Sequence, residues 1–296
     1  MRRWFTIGLV AAAVGIAACT SVDSDVTTTA TVTTTEPPTT STTPPPTTTT
    51  STTTTTTTTT TLPPNDCVVE PLDGDGFYAQ GCTVLGVHIK AAGSVDPAAL
   101  TAASDRVYHL LVGRPEVAGA VAGSIELAIV GADQVITDLP EFVDLYTVYP
   151  GTDWRRLGRS FPGTDLIPTA VAAEENLLCL EADRFAGEDM MVRDFSRTIR
   201  RFGLAVVDEE TDADIERAYA RAIASGLWQN TVAEVNSDQY WAEGTESFFD
   251  ANNEADPPDE IHNHVDTRAE LRSYDPGLYR LLTRVYGEGA WRPTCG

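Results

Sequence analysis

Basic side chains are scarce in this chain: 20 Lys and Arg stand against 43 Asp and Glu in 296 residues, a formal net charge of −23. That balance excludes the basic footprint of a nucleic-acid binder and of a polybasic membrane-surface protein, and it predicts a solvated acidic exterior. Histidine is scarcer still: there are four, of which only His262 and His264 lie close together. No CxxC spacing or Cys/His cluster marks a zinc site, and no GxSxG or P-loop string marks a serine hydrolase or a nucleotide site. The apolar run Trp4–Val14 is too short for a transmembrane helix, which needs about 20 residues. No internal repeat is visible.

What is present begins with a targeting segment. Arg2 and Arg3 precede that apolar run, and Ile16-Ala17-Ala18-Cys19 has the small-residue pattern of a lipoprotein signal, so residues 1–18 read as a signal peptide and Cys19 as the lipidated residue. Residues 19–64 are almost entirely Thr, Pro and Ser, too poor in apolar surface to fold, and read as a disordered stalk. The expectation is export to the cell envelope, with a membrane anchor at Cys19 and an extracytoplasmic domain over residues 65–296. Excluding Cys19 leaves Cys67, Cys82, Cys179 and Cys295, an even number suited to an oxidising compartment. Of the three possible pairings we favour Cys67–Cys82 and Cys179–Cys295.

Apolar periodicity and breakers predict a strand over Val84–Ile89 and a helix from Asp96-Pro97 to about Val112. A second strand is expected over Ser124–Val130, then a turn-rich ITDLPEF and a loop over Thr152–Thr169. Ala170–Leu180 reads as a buried strand or strand pair. Helices are expected over Glu188–Leu204, Ala213–Ser225, Gln239–Asn252 and Asp275–Tyr286. The order suits an α+β domain, a small sheet with helices gathered in its C-terminal half. Tyr240, Trp241, Phe248 and Phe249 fall at helical spacing and read as core.

The Glu188–Leu204 segment carries an apolar stripe of Met191, Phe195, Ile199 and Phe202. Glu188 and Asp189 suit a helix start, Gly203 suits a stop, and Arg193, Asp194, Arg197, Arg200 and Arg201 form a polar face. This helix follows EENLLCL (Glu174–Leu180) and Asp183-Arg184-Phe185. Downstream come Gly226-Leu227-Trp228, the run Asn236–Gly244, Phe249-Asp250-Ala251-Asn252, His262-Asn263-His264, Thr267-Arg268 and Tyr274-Asp275-Pro276. In this order the strings resemble secreted zincin-type metallopeptidase domains, similar at superfamily level to the catalytic domain of anthrax lethal factor. The resemblance implies a zincin-like fold, an HExxH helix whose two histidines and glutamate hold zinc and activate water, and a third glutamate ligand further on.

Laid on this chain, the HExxH positions are Arg193, Asp194 and Arg197, with Arg200 where relatives often have another histidine and Glu243 at the third-ligand position. Guanidinium offers no lone pair and stays charged, so the arginines cannot ligate zinc, and Asp194 is one methylene short of the general base. The expectation is a pseudoenzyme with no cofactor and no catalytic residues. Arg193 or Arg197 is expected to pair with Glu243, and with Asp194 as a further carboxylate partner, since a buried carboxylate needs a partner. The plainer alternative makes the arginines a solvated helix edge. A peptide, protein or glycan ligand is then expected, held without cleavage. The competing expectation is a hydrolase, peptidase or glycosidase, built on a rearranged metal site of His262, His264 and Glu243 or on the carboxylates Glu174, Glu175, Asp208, Glu209 and Glu210.

Overall fold

Two residues that sequence periodicity hides decide how the sheet begins. Leu85 and Gly86 both take positive φ, 48° and 85°, the backbone of a two-residue hairpin turn. The alternation over Val84–Ile89 is therefore not one strand. It spans a turn between β2 (Tyr78–Val84) and β3 (Val87–Ala92). The computed structural model describes residues 63–73 and 76–295; the expected signal peptide, Cys19 and nearly all of the expected stalk lie outside them.

The sheet has five strands in sequence order. β1 (Glu70–Pro71), β2 and β3 run antiparallel, and β3, β4 (Glu126–Val130) and β5 (Thr169–Ala173) run parallel. Successive side chains of β4 and β5 enter opposite faces. Leu127, Ile129, Ala170 and Ala172 join the main core under the helices, while Ala128, Val130, Val171 and Ala173 join a second core with Ile136, Leu139 and Phe142. Both faces are covered, so β5 (TAVAA) is buried at every position rather than alternating.

Between β3 and β4 lie α1 (Pro97–Leu111), capped by Asp96 with Pro97 in its first turn, and α2 (Pro115–Ala122). The β4–β5 connection contains two 3₁₀ turns within the ITDLPEF stretch and the short α3 (Leu145–Val148). Thr152–Pro168 is a loop as expected, with one antiparallel bridge from Phe161 to Val171 at the sheet edge. The expected strand over Ala170–Leu180 stops at Ala173. There Glu174 accepts the N–H groups of Asp96 and Ala132 (2.7 and 2.8 Å), and the chain turns into α4 (Glu174–Leu177).

α5 (Met190–Thr198) buries the expected stripe of Met191, Phe195, Ile199 and Phe202. It does not stop at Gly203: it continues as a π-helical segment, Ile199–Leu204, into α6 (Ala205–Val207). Gly203 serves close packing instead, since a Cβ there would lie 2.6 Å from Val117 Cγ1 of α2. The remaining helices are α7 (Glu209–Ala224), α8 (Ser237–Phe248), α9 (Arg268–Tyr274) and α10 (Pro276–Tyr286). The architecture is α+β, with a small mixed sheet and helices concentrated after it. Tyr240, Trp241, Phe248 and Phe249 are buried in the core. No helix among the described residues is long and apolar enough to cross a membrane.

Two disulfides, Cys67–Cys82 and Cys179–Cys295, fasten the first strands and the final segment. Beside the second, Arg106 ties α1 to two distant stretches. Its Nε donates to Asp189 Oδ2 (2.6 Å), Nη1 to Ala102 O (2.9 Å) and Nη2 to Thr294 O (3.1 Å). Asp189 caps α5 with its other oxygen, accepting from Val192 N at 2.9 Å.

Candidate functional site

Helices α5 and α8 pack face to face, and residues four and three apart on α8 share one side. Gln239, Glu243 and Glu246 follow that spacing, and all three reach one guanidinium. Arg193 donates from Nη1 to Glu243 Oε2 (2.8 Å) and Glu246 Oε2 (3.2 Å), and from Nη2 to Gln239 Oε1 (2.7 Å). Asn252 Nδ2 donates to Glu243 Oε1 at 3.2 Å. Arg193 and Glu243 are buried, and Glu246 has no exposed surface at all. Its Oε1 has no hydrogen-bond partner.

Two carboxyl groups against one guanidinium would carry an excess negative charge in a buried site if both were ionised. Burial pushes the Glu243 carboxyl up against the opposing pull of Arg193. It pushes Glu246 well above the carboxylate range, with the Glu243 charge adding to the effect. Glu246 is therefore the carboxyl that holds a proton longest, and Arg193 is held charged by its acidic neighbours.

Arg197 does not reach Glu243. It donates to Asp194 Oδ1 (2.9 Å) and Asp238 Oδ2 (2.7 Å), so the two expected carboxylates are divided: Glu243 goes to Arg193 and Asp194 to Arg197. Arg200 is tied to Asp212 (2.7 Å), Ser237 (3.0 Å) and Glu216. The solvated-edge description suits only Arg201, half exposed beside the exposed Asp165. The donors around Glu243 do not fit a divalent metal. A cation already occupies its Oε2, and the two facing positions of α5 supply guanidinium, which has no lone pair to give.

His262 is buried with Nε2 3.3 Å from Glu188 Oε1, close enough for charge pairing but outside hydrogen-bond geometry. The Glu188 carboxylate pushes the His262 pKa up. His264, two residues on, is exposed, with its ring edge-on to Tyr274. The structure thus does not bring His262, His264 and Glu243 together, and no group of three His, Cys, Asp or Glu able to hold a metal occurs among the described residues. The acidic clusters are likewise engaged elsewhere. Glu174 binds backbone N–H groups and Glu175 pairs with Arg159 (2.6 and 2.5 Å). Asp208 caps α7 and meets Arg114 at 2.9 Å, while Glu209 and Glu210 face solvent. None forms a facing carboxylate pair.

Sequence reasoning missed Glu246, Gln239 and Glu188. The 4, 3 spacing of Gln239, Glu243 and Glu246 was a usable signal for the first two; nothing local links Glu188 to His262.

An open groove of about 470 Å³ runs between segment 160–164 and residues of α5, the π-helical segment, α6, α7 and α8, and none of Arg193, Gln239, Glu243 or Glu246 lines it. Asp194, Arg197, Arg200, Glu216 and Asp238 lie on its helical walls. The opposite wall is fastened by Ser160 Oγ donating to Met190 O (2.9 Å) and Thr198 Oγ1 donating to Pro162 O (2.7 Å). No family model matches the chain, and neither a curated protein nor a solved structure matches it.

Proposed function

We propose that this domain is a zincin-like metallopeptidase relative that has lost its metal and its activity, and that it recognises a peptide or glycan at the cell surface without cleaving it. The observation that carries this reading is the Arg193 cluster. A guanidinium held by Glu243, Glu246 and Gln239 replaces, as a permanent charge, the cation that the resemblance places beside Glu243. The open groove beside segment 160–164 supports binding: the paired charges of Asp194, Arg197, Arg200 and Asp238 line it and offer hydrogen bonds to an extended ligand. In the same proposal the chain is exported, anchored in the membrane through Cys19 and raised by its Thr/Pro-rich segment.

Incubation of the protein with casein and with peptidoglycan fragments, with and without zinc and a chelator, tests the reading. The expected result is no turnover under any condition, together with saturable binding of one substrate class. Chelator-sensitive hydrolysis would sink it.

A further inference from the structure

The two disulfides stand in opposite surroundings. Cys82 sits in the main core and Cys67 packs against it, whereas Cys179 and Cys295 are both exposed and line an open pocket of about 240 Å³. Thiol–disulfide exchange requires a thiolate to reach a bridge sulfur, so its rate follows access. Packing shields the first bridge and leaves the second open.

The two sides of the exposed bridge are also held unequally. On the Cys179 side, Asn176 donates from Nδ2 to Glu188 O (2.8 Å) and accepts from Met190 N (3.0 Å), and Leu180 N donates to Glu175 O (2.8 Å). On the Cys295 side the anchor is Trp291. Its ring stacks on His109 at 4.7 Å, its Nε1 donates to Asp105 Oδ2 at 2.9 Å, and it packs on the core. Arg292 pairs with Asp250. Over Pro293–Cys295 there follows a single hydrogen bond among the described residues, from Arg106 Nη2 to Thr294 O at 3.1 Å. Pro293, Thr294 and Cys295 all line the pocket, as Arg106 does.

We propose that Cys179–Cys295 is a redox latch: a dithiol reduces it, Pro293–Cys295 swings away about Arg292, and the pocket opens onto Arg106 while the rest of the domain stays folded. A thiolate of the dithiol attacks one bridge sulfur and the S–S bond breaks, leaving a mixed disulfide and one protein thiolate. The second sulfur of the dithiol then displaces the other protein sulfur. The dithiol leaves oxidised, as a disulfide, and its two protons pass to Cys179 and Cys295, which end as thiols. Once the covalent link is gone, one hydrogen bond at an exposed residue does not hold three residues against the entropy gained on their release.

Treatment of the intact chain with dithiothreitol under native conditions, followed by alkylation and mass spectrometry, tests this. Cys179 and Cys295 are expected to be labelled more than about tenfold faster than Cys67 and Cys82. In protein reduced at that bridge alone, NMR order parameters of the Thr294 and Cys295 amides should fall from about 0.85 to below about 0.6, with those of α5 and the circular dichroism unchanged. Equal labelling of the two pairs, or faster labelling of Cys67 and Cys82, would overturn the proposal. So would order parameters at Thr294 and Cys295 that do not change on reduction. Loss of order in α5 together with the bridge would overturn it as well, since opening would then be unfolding of the domain.

Discussion

A guanidinium buried between two carboxylates stabilises the domain only while both sides of the contact remain. Replacing Arg193 by Met leaves Glu243 and Glu246 without a cation in a dry site and is expected to cost about 3–5 kcal/mol in urea unfolding. The triple variant R193M/E243Q/E246Q should recover most of that loss, because the charges disappear together; an unrecovered loss would assign the effect to packing. The cluster also sets a pH dependence. Glu243, Glu246 and His262 all bind a proton more tightly when folded. The stability each contributes is complete below its ordinary value, 4.5 for the glutamates and 6.5 for His262, and is lost as pH rises through the raised one. The melting temperature is therefore expected to fall as pH rises above the ordinary glutamate value of 4.5, and Glu246→Gln should flatten that fall. An identical profile for parent and E246Q would show that Glu246 does not carry the proton. The sequence made Glu243 a suspect and required it to have a partner. It could not decide between Arg193 and Arg197, because that choice depends on which face of α5 meets α8.

At the scale of elements, strong local signals located helices and failed at their ends. Asp96-Pro97 starts α1 as its chemistry demands, and Asp275 caps α10, with Pro276 at its first turn. α2 and α9 are short, and Val84–Ile89 hid a hairpin because apolar residues flank Leu85-Gly86 on both sides. Gly203 is the instructive case, read as a helix stop yet placed inside a continuing helix for the sake of α2. Gly203→Ala is expected to cost about 1–3 kcal/mol through overpacking against Val117 and Val121. V117A in the same chain should return part of it. If G203A were neutral in thermal unfolding, α2 would have to yield more easily than its packing suggests.

For the whole molecule, composition and breaker spacing made the α+β class legible, since elements and their order are local properties. The mixed strand directions and the two-sided burial of β5 were not, because both depend on contacts between residues far apart in sequence. The cysteines bridge that gap, and their two cross-links should differ in worth. Loop closure favours the 116-residue separation of Cys179–Cys295 over the 15 of Cys67–Cys82. C179S/C295S is thus expected to lose roughly 4–5 kcal/mol and C67S/C82S roughly 3 in denaturant unfolding; the reverse order would mean that native-state geometry outweighs chain entropy. The longer bridge lies beside Arg106, whose donors go to residues 102, 189 and 294. That arrangement has a consequence in time. While the chain is being made, α1 is complete long before Asp189 exists and longer still before Thr294 does. Until then only the bond to Ala102, within α1 itself, is available to its guanidinium. Asp189 and Thr294 thus complete the hydrogen bonding of a helix that precedes both in the chain.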